Sequence, residues 1–121
     1  MSEHHLQTPL DEAAVRRLQL EDRVYLNGPL FGIRDATQIR MFDEGVPVPT
    51  DLTGAACIHT APGVKKRTDG TYEKISIGTT TSTRMDRFVP RLLRECGVRA
   101  VIGKGGVLQG SIDAMKDFGA V

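Results

Sequence analysis

Residues 84–106, RMDRFVPRLLRECGVRAVIGKGG, indicate an α/β fold, because a helix pattern, a strand pattern and a glycine loop follow one another directly. Over its first half, apolar side chains recur every three or four residues, which indicates the buried face of a helix. These side chains are Met85, Phe88, Val89, Leu92, Leu93 and Cys96. Gly97 is expected to end the helix. Pro90 requires the regular helix either to begin near Phe88 or to bend there.

The neighbouring sequence extends this pattern into an α/β domain. Residues 99–103 predict a strand, and residues 109–118 predict a helix with three apolar side chains facing inward, namely Ile112, Met115 and Phe118. A strand, helix, strand, glycine loop and helix in succession indicate parallel strands whose loops gather at one end of the sheet. Further predicted elements are strands at 23–26, 55–60 and 75–77, a short helix at 35–44 and a hairpin turn at Asp69-Gly70. The pattern also calls for a strand after Gly119, so the domain resembles a shortened form of a longer one.

Length and charge limit the functional classes to consider. The chain has 121 residues, enough for one domain, and we expect a flexible N-terminal arm over residues 1–10 followed by the domain over residues 11–121. The net charge of +1 gives no broad basic surface, which argues against nucleic acid as the main partner. Neither a membrane-spanning apolar run nor a signal-peptide layout occurs, so we expect no membrane partner and a cytoplasmic location.

The two cysteines, Cys57 and Cys96, do not form a metal-binding motif. They are far apart in sequence, without a CxxC spacing or a nearby Cys/His grouping. The expected state is therefore two free thiols, and no metal is expected to be bound by this chain alone.

Three segments combine glycine with a cationic side chain where a predicted strand passes into a helix. They are residues 32–35 (GIRD), 78–84 (GTTTSTR) and 103–106 (GKGG). Backbone amides freed by glycine can bind carboxylate or phosphate, and an adjacent Arg or Lys adds a charged hydrogen bond. Each segment alone is more typical of a polar or helix-capping turn. Together, the three predict a site for a small anion.

Four segments in order resemble one enzyme family. They are LNGPLFGIRDATQIR (26–40), VPVPTDLTGAACIHTAPG (46–63), GTTTSTRMD (78–86) and IGKGG (102–106). They are similar to the beta subunit, or C-terminal domain, of class I fumarases and L(+)-tartrate dehydratases, and the resemblance covers roughly residues 20–121. It implies a swivelling β/β/α domain with a mixed sheet packed against helices.

The resemblance implies a hydro-lyase acting on a C4 dicarboxylate such as fumarate, malate or tartrate. The site would be completed by an alpha subunit that carries a four-iron four-sulfur cluster. In this chain, Arg34 and Arg84 would clamp the substrate carboxylates, and Lys104 would add an anion contact. Thr80 would transfer the proton, and Thr81 would orient the substrate. Because a threonine hydroxyl is a weak base in water, Thr80 would need a cationic, desolvated setting.

Several positions depart from the family pattern. Gln38 stands where the family usually has histidine, Thr79 replaces proline, Thr83 replaces a small residue and Ala61 replaces glycine. These departures leave two alternatives open: an inactive or stand-alone anion-binding domain, and a structural subunit whose loops only order the partner. Apolar surface exposed by the shortened C-terminus would favour a homo-oligomer.

Overall fold

Three small sheets and four α-helices form the protein in a computed structural model that describes residues 1–121. The strands are β1 (Glu3–Gln7), β2 (Arg23–Asn27), β3 (Leu30–Ile33), β4 (Ala56–His59), β5 (Gly63–Lys66), β6 (Tyr72–Ser76) and β7 (Ala100–Ile102). The α-helices are α1 (Glu12–Arg16), α2 (Asp35–Gln38), α3 (Val89–Cys96) and α4 (Gln109–Phe118), with a π-helical turn at Ile39–Asp43 and a 3-10 helix at Thr83–Phe88. The predicted α/β class with mixed strand directions is confirmed. None of the helices has both the length and the apolar character needed to cross a membrane.

The sheet that positions the candidate site has the strand order β3-β4-β7, and all three strands are parallel. Ile33 of β3 lies opposite His59 of β4, and Ile58 of β4 lies opposite Ile102 of β7. The carboxyl ends of the strands therefore meet at one edge, as the sequence predicted, but the strand predicted at 75–77 is not part of this sheet, because β6 pairs with β5 in an antiparallel hairpin. The segments that leave from this edge carry the predicted site residues.

Helix α3 resolves the conflict that Pro90 poses. The 3-10 helix leads into α3, which begins at Val89, so Pro90 lies in the first turn, where its missing amide breaks no intrahelical hydrogen bond. Gly97 ends the helix with a left-handed φ of 72°, and its amide donates to the carbonyl of Leu93. The regular helix therefore begins near Phe88, which was the first of the two alternatives for Pro90.

The larger of two buried apolar clusters joins α3 to the sheet. Helix α3 contributes Val89, Leu92 and Leu93, and the strands contribute Ile33 and Cys57. Leu92 and Cys57 are fully buried. The periodic apolar face in the sequence is thus the face that covers the sheet, and its burial supplies much of the driving force for folding.

The N-terminal segment is a strand, so the prediction of a flexible arm over residues 1–10 is wrong for Glu3–Gln7. β1 pairs in parallel with β2 along its whole length. His4 and Leu6 point to the half-buried side of the strand, whereas the residues between and beside them are exposed. The pattern is weak because the covered side chains include a histidine. Polar composition alone therefore suggested an unstructured arm.

Helix α4 has the predicted bounds but turns a different face inward. Ile112 is 48% exposed and Phe118 is 39% exposed, so the prediction that they face inward is wrong. Ser111 and Ala114 are the buried residues of this helix, and Met115 packs half-buried against the larger apolar cluster. A hydrogen bond from the Ser111 hydroxyl to Asp86 sets this rotation, which apolar periodicity could not indicate.

Two further predictions concern the chain before and after the site. Strands β5 and β6 form the antiparallel hairpin that Asp69-Gly70 predicted, with Gly70 at a φ of 88°. The hairpin brings the chain back to the edge of the sheet at Gly78. Val121 pairs beside β7, because its amide donates to Arg99 and its carbonyl accepts from Val101. These bonds fit the predicted start of a strand after Gly119.

Candidate functional site

The segment Gly78–Thr83, here called the threonine loop, lies across the carboxyl ends of β4 and β7. Thr79 forms an antiparallel bridge with Thr60, directly after β4, and Thr81 forms a parallel bridge with Lys104, after β7. The threonine loop therefore meets the glycine loop, residues 103–106, at the edge that the sequence predicted. Two of the three anion-binding segments converge in this way.

Asp35 joins the third segment to the other two. Arg84 Nε donates to Asp35 Oδ2 at 3.2 Å, and Arg34 Nε lies 3.5 Å from Asp35 Oδ1. One carboxylate thus holds both predicted clamp residues by their Nε atoms. The hydrogen bond from Arg84 lowers the pKa of Asp35, and the positive charges of Arg84 and Arg34 add to this effect. Asp35 was not among the site residues predicted from the sequence.

Thr80 is half-buried beside Arg84. Its Oγ1 lies 3.5 Å from Arg84 Nη2, and its amide donates to the carbonyl of His59 at 2.7 Å. A guanidinium at this distance would stabilise negative charge that develops on the hydroxyl oxygen. Thr81 is also half-buried, and Lys104 is exposed. The structure therefore brings Arg34, Arg84, Thr80, Thr81 and Lys104 to one edge of the sheet.

Two further hydroxyls of the threonine loop, those of Ser82 and Thr83, bind the glycine loop. Ser82 Oγ accepts a hydrogen bond from the amide of Lys104 at 3.1 Å, and the Ser82 amide donates to the carbonyl of Lys104 at 2.8 Å. Thr83 Oγ1 donates to the carbonyl of Gly106 at 2.9 Å. These four hydroxyls thus form two groups. Thr80 and Thr81 lie at the candidate site, whereas the next two residues bind the glycine loop.

Asp86 fixes the start of α4. Its Oδ1 accepts hydrogen bonds from the amide of Leu108 at 2.7 Å and from the hydroxyl of Ser111 at 2.6 Å. Within the RMD triplet, Arg84 therefore faces the site, Met85 is fully buried and Asp86 holds the helix that follows the glycine loop. The contacts of this triplet therefore hold the threonine loop and the glycine loop in one arrangement.

Gln38 is fully buried and lies next to Arg34. Its Nε2 donates to the carbonyl of Arg34 at 3.5 Å, and its Oε1 has no hydrogen-bond partner. At this position the side chain supports the backbone of a clamp residue but has no group that titrates near neutral pH.

His59 is a buried residue that the sequence reasoning did not single out. Its Nδ1 lies 2.9 Å from Ser82 Oγ, and its Nε2 has no hydrogen-bond partner. Burial lowers the pKa of His59, so the neutral imidazole is favoured. Its place at the carboxyl end of a predicted parallel strand was the signal that could have identified it.

The cysteines of this chain do not fit an iron–sulfur cluster or a zinc site. Cys57 is fully buried in the apolar cluster, and burial raises the pKa of its thiol to about 12. Burial also raises the pKa of Cys96. Metal ligation requires the thiolate, which such surroundings disfavour. No three His, Cys, Asp or Glu side chains are grouped to hold a metal ion.

The charges at the edge of the sheet suit a doubly negative ligand. Arg34, Arg84 and Lys104 carry three positive charges, and Asp35 carries one negative charge, so two positive charges remain. The side chains of both arginines are 48% exposed, so the site is open to solvent. A cavity of about 660 Å³ is lined by residues of β3, α2 and the segment 46–50, and none of the five predicted site residues lines it.

These features define an α/β domain with a cationic site at the carboxyl edge of a parallel sheet. A model of the family described as fumarase C-terminus matches residues 2–121, and the chain belongs to this family. The resemblance seen in the sequence is thereby confirmed.

Curated relatives agree with this assignment. The chain is 37% identical over 102 residues to the L(+)-tartrate dehydratase subunit beta of Escherichia coli (strain K12). The aligned residues cover 84% of this chain and 50% of that protein. It is 36% identical over 116 residues to a Geobacillus stearothermophilus protein named "Putative fumarate hydratase class I", covering 96% of this chain and 22% of that protein. The chain thus spans about half the length of the first relative and about a fifth of the second.

Proposed function

We propose that this chain is the beta-type component of a hydro-lyase that adds water to, or removes it from, a C4 dicarboxylate such as fumarate, malate or tartrate. One observation carries the proposal: Asp35 holds Arg34 and Arg84 together beside Thr80, at the edge where Lys104 also lies. The names of the curated relatives support the same reaction class.

The two arginines bind the substrate carboxylates in this proposal. Asp35 engages each arginine through Nε, so the Nη atoms of Arg34 and the Nη1 atom of Arg84 remain for the ligand. Arg34 can present two parallel N–H donors to two carboxylate oxygens, whereas Arg84 adds a contact from the single nitrogen Nη1. Lys104 adds a third cation, and the net charge of the group then balances a dicarboxylate.

Thr80 transfers the proton in this proposal. In dehydration, its alkoxide accepts the proton from the substrate carbon next to a carboxylate, and the electron pair of that C–H bond forms the double bond as the hydroxide leaves. In hydration the proton returns from the Thr80 hydroxyl to that carbon. Arg84 favours the alkoxide by its charge, and closure of the open site by a partner would strengthen this interaction.

A partner subunit completes the site. The family resemblance implies a four-iron four-sulfur cluster, which supplies a Lewis acid for the leaving hydroxide when it is bound. The thiols of this chain do not fit such a cluster, so we assign it to the partner, the cluster-bearing alpha subunit. The open site agrees with a half-site that a second surface covers. A cytoplasmic location and self-association of the chain remain part of the proposal.

Anaerobic co-expression with the cluster-bearing partner tests the proposal. We expect the assembled protein to hydrate fumarate or dehydrate tartrate, followed by the ultraviolet absorbance of the double bond or by detection of the keto acid product. Arg84→Lys is expected to raise KM for the dicarboxylate about tenfold or more, since a compact ammonium cannot contact Asp35, Thr80 and the substrate carboxylate at the same time. Arg94→Lys, an exposed change on α3, is the matched control. A cluster-loaded but inactive wild-type assembly would refute the enzyme proposal.

A binding domain without catalysis is the second candidate, and Gln38 favours it. This buried side chain offers no proton-transfer group beside Arg34. Calorimetric titration of the chain with fumarate and with tartrate separates the two candidates. Binding that needs Arg34 and Arg84, together with no turnover in the cluster-loaded assembly, would support the binding domain.

A further inference from the structure

His59 is a buried ionisable residue that the proposed reaction does not use. It ends the central strand of the parallel sheet, and its side chain is fully buried. Its carbonyl accepts a hydrogen bond from the amide of Thr80, and its Nδ1 contacts Ser82 Oγ. His59 therefore contacts the threonine loop on both sides of Thr81.

Ser82 extends this contact to the glycine loop. The same oxygen, Ser82 Oγ, is 2.9 Å from His59 Nδ1 and 3.1 Å from the amide nitrogen of Lys104. A continuous chain of hydrogen bonds thus runs from the end of β4, through the threonine loop, to the backbone of Lys104. Gly103 leaves room for it, since a Cβ there would lie 1.8 Å from Ser82 Oγ and 3.2 Å from His59 Nδ1.

The donors and acceptors in this chain fix one tautomer. The Lys104 amide can only donate to Ser82 Oγ, so the Ser82 hydroxyl is free to donate its proton to His59 Nδ1. His59 Nδ1 is then the acceptor, and its Nε2 carries the proton. The other tautomer would leave the Ser82 proton without an acceptor. Each group from Lys104 to His59 Nδ1 is satisfied only in the Nε2-protonated form.

Packing alone does not explain a histidine at this position. The Nε2 atom is buried without a partner, and an unpaired buried donor destabilises a fold. An apolar ring such as phenylalanine would occupy a similar volume without that penalty. The benefit of histidine must therefore come from its other nitrogen, which binds Ser82.

We propose that His59 is a positioning residue that holds the threonine loop against the glycine loop through Ser82, and so sets the position of Thr80 relative to Lys104. Its kinetic consequences rest on the proposed function, whereas its hydrogen bonds do not. A displacement of about 1 Å between reacting groups can lower a rate about a hundredfold. The link would therefore affect turnover more than substrate affinity.

Nuclear magnetic resonance of the full chain tests the link without catalysis. We expect a neutral imidazole protonated at Nε2 and a Lys104 amide that exchanges slowly with solvent. Ser82→Ala is expected to accelerate exchange of the Lys104 amide about tenfold or more, while the amide of Val101, which donates to Val121, serves as the internal control. A proton on Nδ1, or unchanged Lys104 exchange in the variant, would overturn the proposal.

Steady-state kinetics of the assembled enzyme test the effect of the His59–Ser82 link on turnover. His59→Phe and Ser82→Ala are each expected to lower kcat about tenfold to a hundredfold with KM within about threefold of wild type. His59→Asn places an acceptor near the Nδ1 position and should recover most of the loss, and His5→Asn on β1 is the control. Because both residues act through one link, the double variant should be no worse than the poorer single variant.

Additive losses, or a His59→Phe enzyme with wild-type kcat, would refute the positioning role. If the wild-type assembly shows no turnover, the proposed function fails. The exchange and tautomer measurements on the chain would then still decide whether His59 links the two loops.

Discussion

Gly103→Ala is the substitution with the most sharply defined steric consequence. Gly103 follows β7, and an added Cβ would lie 1.8 Å from Ser82 Oγ and 3.1 Å from Ser82 Cβ. The φ angle of Gly103 lies outside the left-handed region, so alanine itself can adopt the backbone conformation. The predicted effect is therefore a clash with the hydrogen-bonded hydroxyl and not backbone strain.

The size of the effect follows from what the clash displaces. Ser82 Oγ must move away, which breaks its hydrogen bonds to His59 and to the Lys104 amide. Each such bond contributes about 0.5–1.5 kcal/mol net, and forced overpacking adds about 1–3 kcal/mol. We expect Gly103→Ala to lower the free energy of unfolding by about 2–6 kcal/mol, a large part of the total stability of a domain this size.

Urea denaturation followed by circular dichroism measures this loss. With a slope of about 1–3 kcal/mol per molar urea, the midpoint should fall by at least about 0.7 M. Gly78→Ala is the matched control in the threonine loop, because its Cβ would meet nothing within 4 Å and its φ is ordinary. That variant should stay within about 0.5 kcal/mol of wild type.

A second variant separates the clash from other causes. Gly103→Ala combined with Ser82→Ala removes the hydroxyl that the new methyl group meets, so it should be more stable than Gly103→Ala alone. A wild-type unfolding midpoint for Gly103→Ala, or a combined variant that loses the sum of both single changes, would contradict the predicted clash.

Three further predictions use residues around the site and the core. Leu92→Ala should lower the free energy of unfolding by about 2–5 kcal/mol in the same denaturation assay, because Leu92 is fully buried, and a smaller loss would mean that α3 packs loosely. Cys57, whose thiol pKa is about 12, should resist iodoacetamide at neutral pH in the folded protein and react after unfolding, and fast labelling of the native protein would contradict its burial. Arg84→Lys should raise the pKa of Asp35 toward its ordinary value in a carboxyl titration by nuclear magnetic resonance, and an unchanged pKa would contradict the observed contact. Because the native pKa of Asp35 is lowered, its ionised form stabilises the fold at pH values above its unfolded-state pKa. This contribution to stability disappears as the pH falls through the native pKa.

The spacing of apolar residues in the sequence correctly predicted the elements whose buried side chains form a continuous stripe. The α3 region is such a case, since its six apolar side chains repeat at helical spacing and Gly97 ends the helix where expected. Strand β1 was missed because its covered side includes His4 and pairs with a distant strand. The inward face of α4 was wrong for a related reason, since a polar contact between Ser111 and Asp86 set its rotation.

Connectivity predicted where the site lies, but not how its side chains are held. Parallel strands separated by helices place the residues after them at one edge, and Arg34 and Lys104 lie there. The contacts of Asp35 with both arginines depend on side-chain directions that adjacency in sequence does not reveal. The link through His59 and Ser82 joins residues 23 positions apart, and neither local pattern indicates that the two side chains meet.

A comparison of Thr80→Val with Thr79→Val in the cluster-loaded assembly tests directly whether Thr80 transfers the proton. Both changes remove one hydroxyl from the threonine loop at nearly constant volume, but only Thr80 has its oxygen beside Arg84. Thr80→Val is expected to lower kcat for the dicarboxylate about a hundredfold or more, whereas Thr79→Val should stay within about threefold of wild type. Equal activities of the two variants would contradict the assignment of proton transfer to this edge of the sheet.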